Sequence, residues 1–168
     1  MSALDIRIYP DSILRKKCLL VETIGKEEKK LLENMAETMY KNKGIGLAAP
    51  QVGINKQIII ADIGKRLIEL INPQIFSHKG EDRMDEGCLS LPEISVGVKR
   101  AKEIIVSGLN RGGKKVEMKL RGLAARVIQH EVDHLKGKLI IDYANFIKRF
   151  SLSRKITADN LRRSFACS

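Results

Sequence analysis

The chain has 168 residues, 43% of them hydrophobic, which suffices for one domain with a substantial core and gives no sign of a second. Its formal net charge is +11 and its pI is near 9.7. No apolar run approaches the ~18 residues of a membrane span, and the N-terminus has neither an apolar signal core nor an Arg/Ser-rich transit segment, so the expectation is a cytoplasmic protein. Lys26–Lys41 carries Leu32, Met35 and Met39 at helical spacing and predicts a first helix. Residues 44–53, Gly-Ile-Gly-Leu-Ala-Ala-Pro-Gln-Val-Gly, forbid a long helix or strand and favour backbone that approaches a ligand closely. They match neither G-x-x-x-x-G-K-[ST] nor G-x-G-x-x-G, which argues against a phosphate loop. Strands are predicted over 57–62 and 66–72, joined at Ile63-Gly64-Lys65, and then over 94–99, 103–109 and 114–120. The last two flank the hairpin signal Asn110-Arg111-Gly112-Gly113. A second helix begins after Gly122 and ends near Gly137, where Lys136 and Lys138 suit a helix C-terminus. Strands grouped before and around this helix predict an α+β fold.

That second helix carries the pattern H-E-x-x-H, as His130-Glu131-Val132-Asp133-His134. Four-residue spacing puts both imidazoles on one helical face, where they can grip a divalent ion, and leaves Glu131 beside it to handle protons. Leu123, Val127, His130 and His134 share one stripe, which predicts an apolar slot with the ion at its mouth. Taken singly, Leu123 and Val127 read as ordinary core residues. Two histidines leave a metal undercoordinated. His78, in Ser-His-Lys-Gly, reads as part of a solvated turn. Cys88, in Asp85-Glu86-Gly87-Cys88-Leu89-Ser90, is the better third ligand, because a thiolate and two imidazoles leave the fourth tetrahedral position open. Gln51 is a neutral amide that can donate to a developing oxyanion without competing for the metal.

These segments resemble the peptide deformylases, whose motifs are a glycine-rich stretch ending in Ala-Ala-x-Gln, a Glu-Gly-Cys-x-Ser segment and a His-Glu-x-x-Asp-His helix. Here they run from Gly44 to Gln51, from Glu86 to Ser90 and from Gln129 to His134. The opening Asp5-Ile6-Arg7-Ile8-Tyr9-Pro10-Asp11 followed by Leu14-Arg15 is similar too, and the resemblance extends to Tyr143. It implies an α+β fold of antiparallel sheets packed around a central metal-binding helix, with an N-terminal helix and a C-terminal helix. It implies Cys88, His130 and His134 as metal ligands, Glu131 as general acid/base, and Gln51 with the Leu89 backbone N–H as oxyanion donors. Substrate binding falls to Ile45, Gly46, Gly87, Leu123 and Val127. The implied reaction is release of formate from the formyl-methionine end of newly made polypeptides. Ferrous iron is the implied ion, with Zn2+, Ni2+ or Co2+ as substitutes, although the ligands alone suit zinc as well. Glu86 or Asp133 is expected to accept a hydrogen bond from a ligand imidazole; for Asp133, a surface carboxylate that pairs with Arg100 or Arg126 is the equal alternative. The chain departs from the family at Ser95, where many members carry a nearby arginine, and at Arg126, which leaves the polarity of one pocket edge open.

Basic residues crowd the end of the chain, as Lys148, Arg149, Arg154, Lys155, Arg162 and Arg163 against the single acid Asp159. Residues 1–168 are expected to form one metallohydrolase domain, with 146–168 as a basic helical tail that reads either as a solvated helix or as a ribosome contact. Two rival classes fit less well. A zinc peptidase would be expected to draw its third ligand from a distant Glu or His, and an RNA-binding module leaves Cys88, Glu131 and Gln51 unexplained in a chain with 4% aromatics. Cys18 and Cys167 have no reason to pair, which agrees with a reducing compartment.

Overall fold

The computed structural model describes residues 2–145, so the helical tail expected over 146–168, and Cys167 within it, lie outside the described residues. The first helix, α1, spans Lys26–Lys41, the range its periodicity predicts. The tight segment after it becomes a short strand, β1 (Gly46–Ala48), and a single 3-10 turn over Ala49–Val52. Strands β2 (Ile58–Ala61), β3 (Ile68–Lys79), β4 (Asp82–Cys88), β5 (Leu91–Arg100), β6 (Glu103–Leu109) and β7 (Lys115–Arg121) follow, then helix α2 (Leu123–Leu135) and a 3-10 turn over Ile140–Tyr143. Five strands form one antiparallel sheet in the order β1-β2-β3-β6-β7, and β4 pairs with β5 as a separate antiparallel ribbon.

The sheet lies between the two helices, and strand β2 shows why. Its run Ile58-Ile59-Ile60-Ala61 is buried at every position, as a strand covered on both faces requires. Ile58 and Ile60 pack with Leu32, Met35 and Met39 of α1, whereas Ile59 and Ala61 pack with Ala125, Val127, Ile128 and Leu135 of α2. Helix α2 is itself nearly enclosed, its segment 124–129 being buried throughout. A third cluster joins Ile94, Val96 and Val98 of β5 to Leu14 and to Leu139, Ile140 and Ile141 beyond α2.

Two expectations are corrected. Strand β3 continues seven residues past Asn72, through two register irregularities, so His78 lies on the strand opposite Ile104 rather than in a turn. Strand β4 has no counterpart among the predicted strands, because only Glu86 of its seven residues is buried and no apolar alternation marks it.

Candidate metal centre

His130 and His134 stand on one face of α2 with their Nε2 atoms 3.2 Å apart and their rings edge-on. Cys88 reaches them from the end of β4, where the pairing with β5 slips between Glu86 and Cys88 and re-aims the strand. Its Sγ is 3.3 Å from His134 Nε2, and one ligand atom from each of the three residues lies within 4.8 Å of the others. Among the described residues no second group of three or more His, Cys, Asp or Glu converges in this way. His78 is exposed and remote from the group.

Behind His130 lies a layer of charge. Its Nδ1 is 3.0 Å from Glu86 Oε2, so the ring's other nitrogen is the one turned toward Cys88 and His134. Arg100 holds the same carboxylate as a fork, through Nε at 2.7 Å and Nη2 at 2.9 Å. Its remaining nitrogen donates to Asp133 at 2.8 Å, which also accepts from Tyr143 at 2.6 Å. Of the two expected outer partners, Glu86 therefore touches a ligand imidazole. Asp133 does not; its helical position turns it toward Arg100 and Tyr143 instead. Burial alone would raise the Glu86 carboxyl, but hydrogen bonds from His130 and Arg100 overcome it and hold the group at about 2.

Glu131 is buried within the site, and one of its oxygens, Oε2, has no hydrogen-bond partner among the described residues. That burial lifts its carboxyl to about 7, against the opposing influence of His130 and Arg100. Gly46 makes room for it, since a Cβ there would lie 2.3 Å from Glu131 Oε1 and 2.7 Å from Val127 Cγ1. Gln51, on the 3-10 turn after β1, anchors its carbonyl on the Ala48 N–H at 2.9 Å and aims its NH2 at Cys88 Sγ, 3.5 Å away, and Ser90 Oγ, 3.3 Å away. These groups border a cavity of about 730 Å³ lined by Ile45, Gly87, Leu89, Leu123 and Val127 among others. Leu123 is not packed against the domain as its place on the stripe suggests: it is 46% exposed, at the cavity rim. Arg126 also lines the cavity, but both of its terminal nitrogens are bonded away to Glu86, Val98 and Asp82. What it leaves to the pocket edge is mostly its hydrocarbon stem.

The donor set fits a divalent cation. Two nitrogens and a sulfur crowd one point; burial disfavours a charged His130, but hydrogen bonds with Cys88 and Glu86 outweigh it and hold the imidazole up at about 10. A cation held by Cys88, His130 and His134 would satisfy all three donors at once in place of a proton. Tyr143 and Asp82 were missing from the residues expected at the site, and Arg100 was expected only as a partner of Asp133, not as the fork on Glu86. Only Arg100 left a signal, being in phase with the inward-facing Ile94, Val96 and Val98.

The family model of polypeptide deformylases matches residues 3–150. A peptide deformylase of Thermodesulfovibrio yellowstonii is 47% identical over 160 residues, covering 92% of this chain and 97% of that one. One from Halothermothrix orenii is 51% identical over 144 residues, covering 84% and 94%. Among solved structures, a peptide deformylase from Legionella pneumophila superposes with a TM-score of 0.92 at 39% identity, over 99% of both chains. One from Synechococcus elongatus in complex with actinonin superposes at 0.87 with 38% identity, over 94% of this chain and 87% of that one. A match spanning all three motifs, with relatives about half identical over most of its length, shows that this chain belongs to the polypeptide deformylase family.

Proposed function

We propose that this chain is a metal-dependent hydrolase that removes the formyl group from the formyl-methionine end of newly made polypeptides. The observation that carries the reading is the convergence of Cys88, His130 and His134 beside a buried carboxyl, Glu131, and a fixed amide, Gln51, against a largely apolar cavity. A divalent cation held by Cys88, His130 and His134 supplies Lewis acidity, polarising a carbonyl and acidifying water. Glu131 accepts the proton of the attacking water. The oxygen that gains charge is met by the Gln51 NH2 and the Leu89 backbone N–H, a kind of donor whose loss typically costs about 10²–10³ in rate. Glu131 then returns its proton to the departing nitrogen as the carbon–nitrogen bond breaks, giving formate and a free amine. The backbone of Ile45, Gly46 and Gly87 pairs with the extended peptide, while Leu123 and Val127 receive the methionine side chain.

Ferrous iron is the ion proposed for the cell, on family resemblance, with zinc, nickel or cobalt as substitutes, and the Cys/His/His set by itself suits zinc just as well. We read residues 1–168 as one metallohydrolase domain working in the cytoplasm. No helix among the described residues is long and apolar enough to cross a membrane. Residues 146–168 are proposed as a basic ribosome contact, supported by their excess of Lys and Arg; tail removal that leaves ribosome co-sedimentation unchanged across salt would refute that part. The decisive assay offers a formyl-Met peptide, its acetylated analogue and its unmodified form to protein purified without oxygen and analysed for metal. Formate released from the first alone supports the reading. A protein that leaves the formyl peptide intact, or that cleaves internal peptide bonds, contradicts it.

A further inference from the structure

Arg126 precedes His130 by one helical turn on α2 and meets the strand that ends in Cys88. Its Nη1 donates to Glu86 Oε1 at 2.7 Å and to the Val98 carbonyl at 3.0 Å, and its Nη2 donates to the Asp82 carbonyl at 3.1 Å and to the Asp82 carboxylate. The guanidinium therefore joins three elements: the far end of β4 from Cys88, strand β5, and the helix that carries both histidines. It is 6% exposed although it borders an open cavity. Arg100 already grips Glu86 as a fork, but from β5. Arg126 adds a hold from α2 itself, so that His130 and the carboxylate behind it are tied to one rigid element. The choice of ring matters, because His134 Nδ1 is buried with no hydrogen-bond partner among the described residues. Among those residues, only His130 of the two imidazoles is oriented from behind.

Taking the metal centre as proposed above, we infer that Arg126, held in turn by Asp82, is a positioning residue that braces Glu86 and through it fixes His130 and the β4 strand of Cys88 for cation binding. Arginine is required by shape as well as charge. Four acceptors on two strands are met by one planar fork, which the single ammonium of lysine cannot reproduce.

The test is cobalt(II) affinity, measured by competition with a chelator, in the parent protein and in Arg126→Met, Arg126→Lys and Asp82→Asn. Loss of an outer partner of a ligand typically weakens metal binding by about 10- to 100-fold, so Arg126→Met should fall in that range and Asp82→Asn by a smaller factor. Arg126→Lys should recover only part of the loss. The sulfur-to-cobalt absorption band should persist in every variant that still binds, since Cys88 is intact. A purely structural role would lower the thermal midpoint and leave affinity alone. Arg126→Met and Asp82→Asn both within twofold of the parent in cobalt affinity would overturn the inference, whatever their midpoints. If Arg126→Met fails to fold, Asp82→Asn decides, because it keeps side-chain size and leaves the Glu86 contact in place. A parent that takes up no cobalt defeats the metal-centre reading itself, a result distinct from a parent that binds and variants that bind equally well.

Discussion

At the scale of single residues, the site depends on a buried carboxyl, one oxygen of which bonds to none of the described residues, and on the space that admits it. Glu131→Gln keeps the shape of the side chain and removes its capacity to carry a proton. The expected outcome is retained cobalt and a loss of formate release of about 10²- to 10⁴-fold; a variant that binds cobalt and turns over normally would show that another group moves the proton. Gly46 is expected to be just as sensitive for a steric reason, since its missing side chain is the room Glu131 and Val127 occupy. Gly46→Ala should fold, by circular dichroism, yet lose about 10²-fold in turnover, the scale of effect that misplacement of a catalytic group by about an ångström produces. Unchanged turnover would mean the carboxylate is not held where its role needs it. The ligand helix, Cys88 and Gln51 could be named from sequence because each sits in a local motif. Asp82 and Tyr143 could not. Asp82 meets Arg126 across 44 residues, and Tyr143 meets Asp133 from beyond the end of α2. No spacing rule encodes either contact.

At the scale of elements, legibility follows burial pattern. Helix α1 was readable because its apolar face is regular, and β6 because Ile104, Val106 and Gly108 alternate inward. Strand β4 was not, being a mostly exposed ribbon edge whose identity comes from pairing with β5. Arg100 was one residue beyond the predicted end of its strand, so its inward phase went unused. Helix α1 also carries its own pH dependence. Glu28 accepts from the Gly25 N–H at 2.9 Å and from Lys56 Nζ at 2.7 Å, tying the helix start to the loop before β2. The Lys56 hydrogen bond, with the Gly25 N–H, holds its carboxyl at about 2, below the ~4.3 of an unfolded chain. A depressed carboxyl stabilises the fold above the unfolded value and loses that contribution as pH falls through the folded one. Glu28→Gln should therefore melt below the parent at pH 7, and the gap should close as pH is lowered from about 5 to 2. Melting curves that stay equally far apart down to pH 2 would rule out this ion pair as the cause.

At the scale of the molecule, the metal centre sits where three separately packed hydrophobic clusters meet. Val127 belongs to the cluster under α2, Leu89 packs against the one under α1, and Cys88 against the one formed by β5 and the turn after α2. An ion shared by Cys88, His130 and His134 would therefore bond the ribbon directly to the helix that carries both histidines. The unfolded chain holds its thiol and imidazoles far apart, so a cation that prefers the assembled set stabilises it by mass action. Free cobalt(II) at about a hundred times its dissociation constant should add about 2.7 kcal/mol, which for a chain of this size corresponds to a rise of roughly 5–10 °C in thermal midpoint. Cys88→Ala removes the ribbon's ligand, so its midpoint should rise far less at the same cobalt concentration even though both histidines remain. Equal cobalt-induced shifts in the parent and in Cys88→Ala would mean that the ion binds the helix alone and does not join the clusters.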